Sequence, residues 1–179
     1  MPDTNSMPGE SKVIEAIFDH RWAILPSALE GMIAIANRQG SIEAALAGKA
    51  AYEAHSPSGA ANPYAASKEI AVIQVLGPIF PRANLMTSIS GATSISKMQA
   101  QFKAAMEDPN IGGIILNVDS PGGEVTGVSE FAQMLFEARG KKPITAYVPG
   151  MAASAAYWIA SAADEIILAD TGEVGSIGV

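Results

Sequence analysis

Apolar positions along this chain follow two rhythms, and the change falls near residue 69. Before it, Val13, Ile14, Ile17 and Phe18, and then Leu29, Met32, Ile33 and Ala36, recur at the spacing of an amphipathic helix. Two short helices are predicted, the second capped by Ser27 behind Pro26. Residues 1–11 are polar, with Pro2 and Pro8, and are predicted to be disordered. Residues 38–68, rich in Ala, Ser, Gly and Pro, form a predicted flexible linker with at most a short helix near 42–47. From Glu69 the texture becomes short apolar runs alternating with helical periodicity. Strands are predicted at 70–76, 111–118, 144–148 and 165–169. Helices are predicted from Ile95 to the stop at Pro109, over 125–138 with Val128, Phe131 and Leu135 inward, and over 151–163. The organisation is therefore an N-terminal helical extension at 1–37, a linker at 38–68 and an α/β domain at 69–179. Strand and helix alternate, which predicts a largely parallel sheet with right-handed crossovers.

Ligands of such sheets lie beyond the carboxyl ends of the strands, so the residues placed there carry the chemistry. After the second strand comes Asp119-Ser-Pro-Gly-Gly-Glu124, and after the third comes Pro149-Gly-Met-Ala-Ala-Ser154. Both turns fall on one edge. Ser154 is predicted in the first turn of a helix, where unpaired N–H groups and the positive end of the dipole face whatever it attacks. The alanines around it leave room for a substrate backbone. A Pro-Gly-Gly turn opening a helix lets the N–H of Gly122 or Gly123 project unobstructed, and the N–H of Ala155 follows the serine directly. A hydroxyl nucleophile with two converging donors is the apparatus of acyl transfer. Each feature alone has a commoner explanation, since early-helix serines are usually caps and Pro-Gly-Gly is usually a tight turn. Their pairing on adjacent strands favours the catalytic reading. Asp119 is expected to order its turn and Glu124 to cap a helix. Trp158 is expected in the core behind the serine.

Composition narrows the possibilities. A net charge of -7 without a basic cluster argues against nucleic acid and anionic membranes as partners. With no cysteine there is no disulfide framework, thiolate metal site or thiol nucleophile, and no metal or cofactor is expected. The N-terminus lacks the pattern of a signal peptide, and no apolar stretch has the length of a membrane span. A cytoplasmic protein is expected.

Taken together, Asp119-Ser-Pro-Gly-Gly123, Ala152-Ala-Ser-Ala-Ala-Tyr-Trp-Ile-Ala160, Ala163-Asp-Glu-Ile and Val174-Gly-Ser-Ile-Gly-Val179 resemble the signal-peptide-peptidase A family of serine peptidases, family S49. The resemblance covers about residues 70–179. It implies a ClpP/crotonase-like fold, a parallel sheet built from β-β-α-type repeats, with Ser154 as nucleophile and Gly122, Gly123 and Ala155 as the oxyanion hole. Ala155-Ala156 stands where many members carry Gly-Gly, and alanine still offers its N–H. Arg21-Trp-Ala-Ile-Leu-Pro26 resembles the phage and prophage branch, which implies a role in capsid maturation and an association with the procapsid. Small or apolar residues are expected at the cleavage point of an extended peptide or protein substrate.

The base is the gap in this reading. The family resembled uses a Ser-Lys dyad whose lysine lies well beyond the serine, and this places it past Val179, so the chain is expected to be the front part of a longer protein. His20 and His55 lie in the extension and linker, and a Ser-His pair would require that extension to fold back over the site. Lys141 and Lys142 are expected in a solvated turn before the third strand, which at about 3.3 Å per residue holds them roughly 20 Å from Ser154. Lys97 is the nearest alternative and is expected on the surface. Two other readings compete: a non-catalytic capsid scaffold, favoured by the missing lysine, and an acyl-CoA hydratase or hydrolase of the same fold using Asp119 and Glu124. An apolar loop over 79–89, with the ring-forming habit of the family, predicts a substrate wall or a homo-oligomer contact.

Overall fold

The computed structural model describes residues 21–36, 68–83 and 92–177. In chain order these form β1 (Trp22–Ile24), α1 (Pro26–Ala36), β2 (Glu69–Leu76), β3 (Ile79–Phe80), β4 (Thr93–Ser94), α2 (Ile95–Glu107), β5 (Ile111–Asp119) and β6 (Gly122–Glu124). Then follow α3 (Val128–Ala138), β7 (Ile144–Val148), β8 (Met151–Ala153), α4 (Ala155–Ser161), β9 (Glu165–Leu168) and β10 (Glu173–Gly175). The long strands pair in the order β2-β5-β7-β9, all parallel, as the alternation predicts. Each is followed by a short strand that leaves this sheet. β3, β6, β4 and β1 make a second sheet in the order β1-β6-β3-β4, and β8 pairs with β10. A long strand, a short strand and a helix thus repeat, which is the β-β-α unit that the family resemblance implies.

Side-chain alternation decides which face of the main sheet is covered. Ile73 and Val75 of β2, Ile114, Leu116 and Val118 of β5, and Ile144, Ala146 and Val148 of β7 are buried. Against them pack Met98 and Phe102 of α2 and Val128, Phe131 and Leu135 of α3, with the Phe102 and Phe131 rings edge to face at 6.2 Å. At about 1.5–3 kcal/mol for each large apolar side chain fully buried, this layer is the main source of stability. The opposite face leaves Ile70, Val72, Tyr147 and Ile167 exposed.

Helix ends follow local chemistry. The hydroxyl of Ser94 caps α2 by accepting the N–H of Lys97, and Pro109 prevents its continuation. Lys142 Nζ donates to the carbonyls of Ala105 and Asp108 at 2.7 and 2.6 Å. It is therefore half-buried and tied to the end of α2, where a solvated turn was expected; only Lys141 is exposed. Arg139 donates to the carbonyls of Ser161, Ala162 and Ala163, closing the end of α4 as cations do at helix C-termini.

Several expectations are corrected. Pro26 takes the first helical position of α1, which puts Ser27 inside the helix and not at its cap. β1 is a strand that helical patterning did not predict, and it pairs antiparallel with β6, which docks residues 22–24 of the extension onto the α/β domain. Met151–Ala153, made of good helix formers, is strand β8, because Ala152 bridges Ser120 and β8 pairs with β10; the helix begins only at Ala155. Pro-Gly-Gly opens strand β6, and α3 starts later, at Val128. Glu124 consequently lies buried in β6 and caps no helix. Ile79 and Phe80, expected in a loop, are buried in β3. Residues 1–11, the helix over 13–18, the linker through residue 67, and Leu85, Met86 and Ile89 lie outside the described residues, as do His20 and His55.

Candidate active site

Ser154 stands alone between β8 and α4, and its backbone is unusual. With φ 55° and ψ -118° it occupies a region that L-residues avoid, at a cost of about 1–3 kcal/mol. It is the N-cap residue of α4 and not part of the first helical turn, yet its side chain makes no capping hydrogen bond. The backbone is held on both sides. Its N–H donates to Gly175 O at 2.9 Å, and its carbonyl accepts from Trp158 N at 2.9 Å. A sharp, strained strand-to-helix turn of this kind presents a serine hydroxyl clear of the chain that carries it.

Beside it the Pro-Gly-Gly segment is laced to β8. Ser120 N donates to Met151 O at 2.8 Å, and Ala153 N donates to Ser120 O at 3.1 Å. Asp119 Oδ1 accepts the N–H of Met151 at 3.1 Å, so its carboxylate orders the two turns, as expected. The buried Ser120 hydroxyl donates to Gly77 O at 2.7 Å and accepts the N–H of Gly122 at 3.2 Å. Sequence reasoning missed this residue, because a serine next to proline looks like an ordinary turn residue. Its consequence is specific: the Gly122 N–H is bonded to a side chain inside its own turn, whereas Gly123 stands opposite Ala23 in the pairing with β1, so of the two candidate donors only Gly123 would be freed by departure of a neighbouring strand. A Cβ at Gly123 would collide with the backbone of Ile79, and one at Gly122 with the carbonyl of Ala23. Both positions therefore need glycine for close approach.

A cavity of about 330 Å³ opens at Ser154, lined also by Ala23, Ala155, Tyr157, Trp158, Ser161, Ser176 and Ile177. Trp158 is 43% exposed and forms a wall of this cavity, contrary to the core position expected for it. Ala23 was not foreseen at all; it brings the described part of the extension to the site, and His20 lies outside the described residues. Ser176 and Ile177, at the end of the Val174-Gly-Ser-Ile177 segment, line it as well. A larger groove of about 730 Å³ runs between α3 and α4 behind Trp158, away from Ser154 and lined by Ser129, Glu130, Gln133 and Glu137 among others. Among the described residues no lysine or histidine lines the Ser154 cavity, and no cluster of His, Cys, Asp and Glu could hold a metal ion. Lys97 is exposed in the first turn of α2. Among the described residues no helix is long and apolar enough to cross a membrane.

Residues 137–179 match the model of peptidase family S49. The chain is 35% identical over 119 residues to the capsid assembly protease C of Escherichia phage lambda, covering 66% of this chain and 27% of that protein. It is 36% identical over 111 residues to protease 4 of Salmonella typhi, covering 62% of this chain and 17% of that one. The chain thus spans about a quarter or less of the length of these relatives. Among solved structures, a membrane protease of Pyrococcus horikoshii specific for a stomatin homolog aligns with a TM-score of 0.46 at 25% identity, over 60% of this chain and 49% of that one.

Proposed function

From the resemblance of this chain to peptidase family S49, which its sequence carries most plainly over residues 137–179, we propose that it holds the nucleophile-bearing part of a serine endopeptidase. The observation that carries this reading is the conformation of Ser154: strained, uncapped and facing a cavity. Strain without a capping bond is a cost that structure alone does not repay. Ser154 Oγ attacks the carbonyl carbon of an extended peptide, its proton passes to a base, and the oxyanion accepts hydrogen bonds from the N–H groups of Ala155 and Gly123. Collapse of the tetrahedral species releases the amine and leaves an acyl-serine, which water then hydrolyses. The base is a lysine beyond Val179, as the family resemblance implies. Ala153, Ala155 and Ala156 are buried beside the serine and Ala155 lines its cavity, so the chain around the nucleophile is small-sided and leaves room for a substrate backbone.

The biological role proposed is capsid maturation in a phage or prophage, in association with the procapsid, on the strength of the similarity to a phage capsid assembly protease. The proposed organisation remains an N-terminal extension, a linker and a peptidase domain from about residue 69. The test is reaction of Ser154 with a fluorophosphonate, followed by mass spectrometry, with Ser154→Ala as the blank. Labelling confined to Ser154 is expected. Peptide turnover should be weak in residues 1–179 and rise by about 10² to 10⁴ in a chain extended through the lysine, the usual worth of a positioned base. An inert Ser154 in both lengths would sink the catalytic reading and favour a scaffold.

A further inference from the structure

One edge of β6 already carries a strand, β1, whose Ala23 lines the Ser154 cavity. Val125 N–H donates to Arg21 O at 3.0 Å and Leu25 N–H donates to Pro121 O at 3.0 Å, bracketing an antiparallel register that sets Ala23 opposite Gly123. In an antiparallel ladder hydrogen-bonded pairs alternate with non-bonded ones, so Ala23 and Gly123, midway between the two bonded positions, form a bonded pair as well. The Gly123 N–H, proposed above for the oxyanion, is thereby turned to the carbonyl of Ala23. Successive side chains of a strand point to opposite faces. Trp22 packs its ring edge-on against Phe80 at 5.8 Å, while Ala23, 5% exposed, lines the cavity of Ser154 and Ala155.

An extended segment, antiparallel to the Gly-Gly strand, with a small residue at the serine and its carbonyl at the candidate oxyanion donor, has the features of a bound peptide. We infer that Trp22–Ile24 is a built-in peptide mimic: it holds the substrate edge of β6, marks a small residue at Ala23 as the one the Ser154 cavity accepts, and must leave before a substrate strand can pair. This inference rests on the peptidase reading for the words substrate and oxyanion. The strand exchange itself does not depend on catalysis. Chain tethering makes β1 a strong competitor, because its effective concentration at the edge exceeds that of a free peptide.

The test compares the full chain with Ala23→Pro, in which proline removes the N–H that the ladder pairs with Gly123. The probe is a fluorescein-labelled peptide of the sequence of residues 21–26, followed by anisotropy. If β1 leaves the edge less than a tenth of the time, freeing the edge should tighten apparent binding at least about tenfold. The Val125 amide should exchange faster in the variant and be protected again by the peptide. Equal affinity for both proteins overturns the inference. Should Ala23→Pro fail to fold, Trp22→Ala removes the ring contact with Phe80 and leaves the backbone donors in place; a smaller gain in binding is expected, and no gain overturns the inference equally. Fluorophosphonate labelling of Ser154 in the same proteins extended through the lysine separates the two readings. Tighter peptide binding with a serine that stays unreactive in the extended chain keeps the mimic and removes the catalytic reading, and a reactive serine with no gain in binding does the reverse.

Discussion

The turns that follow β5 and β7 bring the chain to the same place by opposite means. After β5, the segment Ser120–Glu124 achieves close approach by having no side chains: Gly122 and Gly123 let the backbones of β1 and β3 lie against β6. After β7, the segment Gly150–Ala155 bends around a residue that keeps its side chain and accepts a forbidden region of φ and ψ. Absence of a Cβ is a passive solution that costs only unfolded-state entropy. Strain at a serine is an active one, since the surrounding bonds must hold it. The difference shows which turn is built around a functional group and which is built around a neighbouring backbone.

Substitutions that exchange these solutions should break the contrast in a graded way. The largest effect is expected for Gly123→Ala, whose methyl would strike the backbone of Ile79, an obstacle that no side-chain rotation relieves. A loss of about 3 kcal/mol, the upper part of the range for overpacking, should appear in urea denaturation, with amide exchange rising in β6 and β3 before the main sheet. A stability within error of the unsubstituted chain would mean that the second sheet tolerates separation. Next comes Ser120→Ala, which strands the buried Gly122 N–H and removes the donor to the half-buried Gly77 carbonyl. About 1–3 kcal/mol should be lost, measured the same way, and the Gly122 amide should exchange faster. A neutral substitution would show that water replaces the hydroxyl.

The smallest effect has the opposite sign. Ser154→Gly should stabilise the fold by about 1 kcal/mol, because glycine adopts positive φ without a Cβ penalty, while Ser154→Ala keeps the Cβ and should gain nothing. Both variants should lose fluorophosphonate reactivity. Thermal melting of the pair reads the difference directly, and equal midpoints would argue that the serine backbone carries no strain to release.

Periodicity made much of this legible. Ile95, Met98, Phe102 and Ala105 announced α2, and Val128, Phe131 and Leu135 announced the buried face of α3. The apolar runs of β5 and β7 announced strands deep enough to be covered, and the alternation of long strand and helix announced a parallel sheet. Ser154 and the two glycines were visible as candidates because the strand-end rule selects few positions. The missed elements were the short strands. Three residues such as Trp22–Ile24 or Met151–Ala153 are too few to show a period, and alanine and methionine favour helix. Glu124 and Trp158 were misplaced for a related reason: where a side chain points in a short segment depends on its partner strand.

What the sequence determined by itself, then, is whatever depends on neighbours within a few residues: the helical and extended periods, the stop at Pro109, the permissive glycines and the one hydroxyl among alanines. Contacts between distant segments were decided only in the tertiary structure. Ser120 ties β5 to Gly77 and reaches β8, Gly175 holds the N–H of Ser154, and β1 comes from some hundred residues away in the chain to lie on β6. The physical reason is that a short strand has no stability of its own. Its conformation is set by the edge that receives it, and that edge exists only once the long strands and helices have packed.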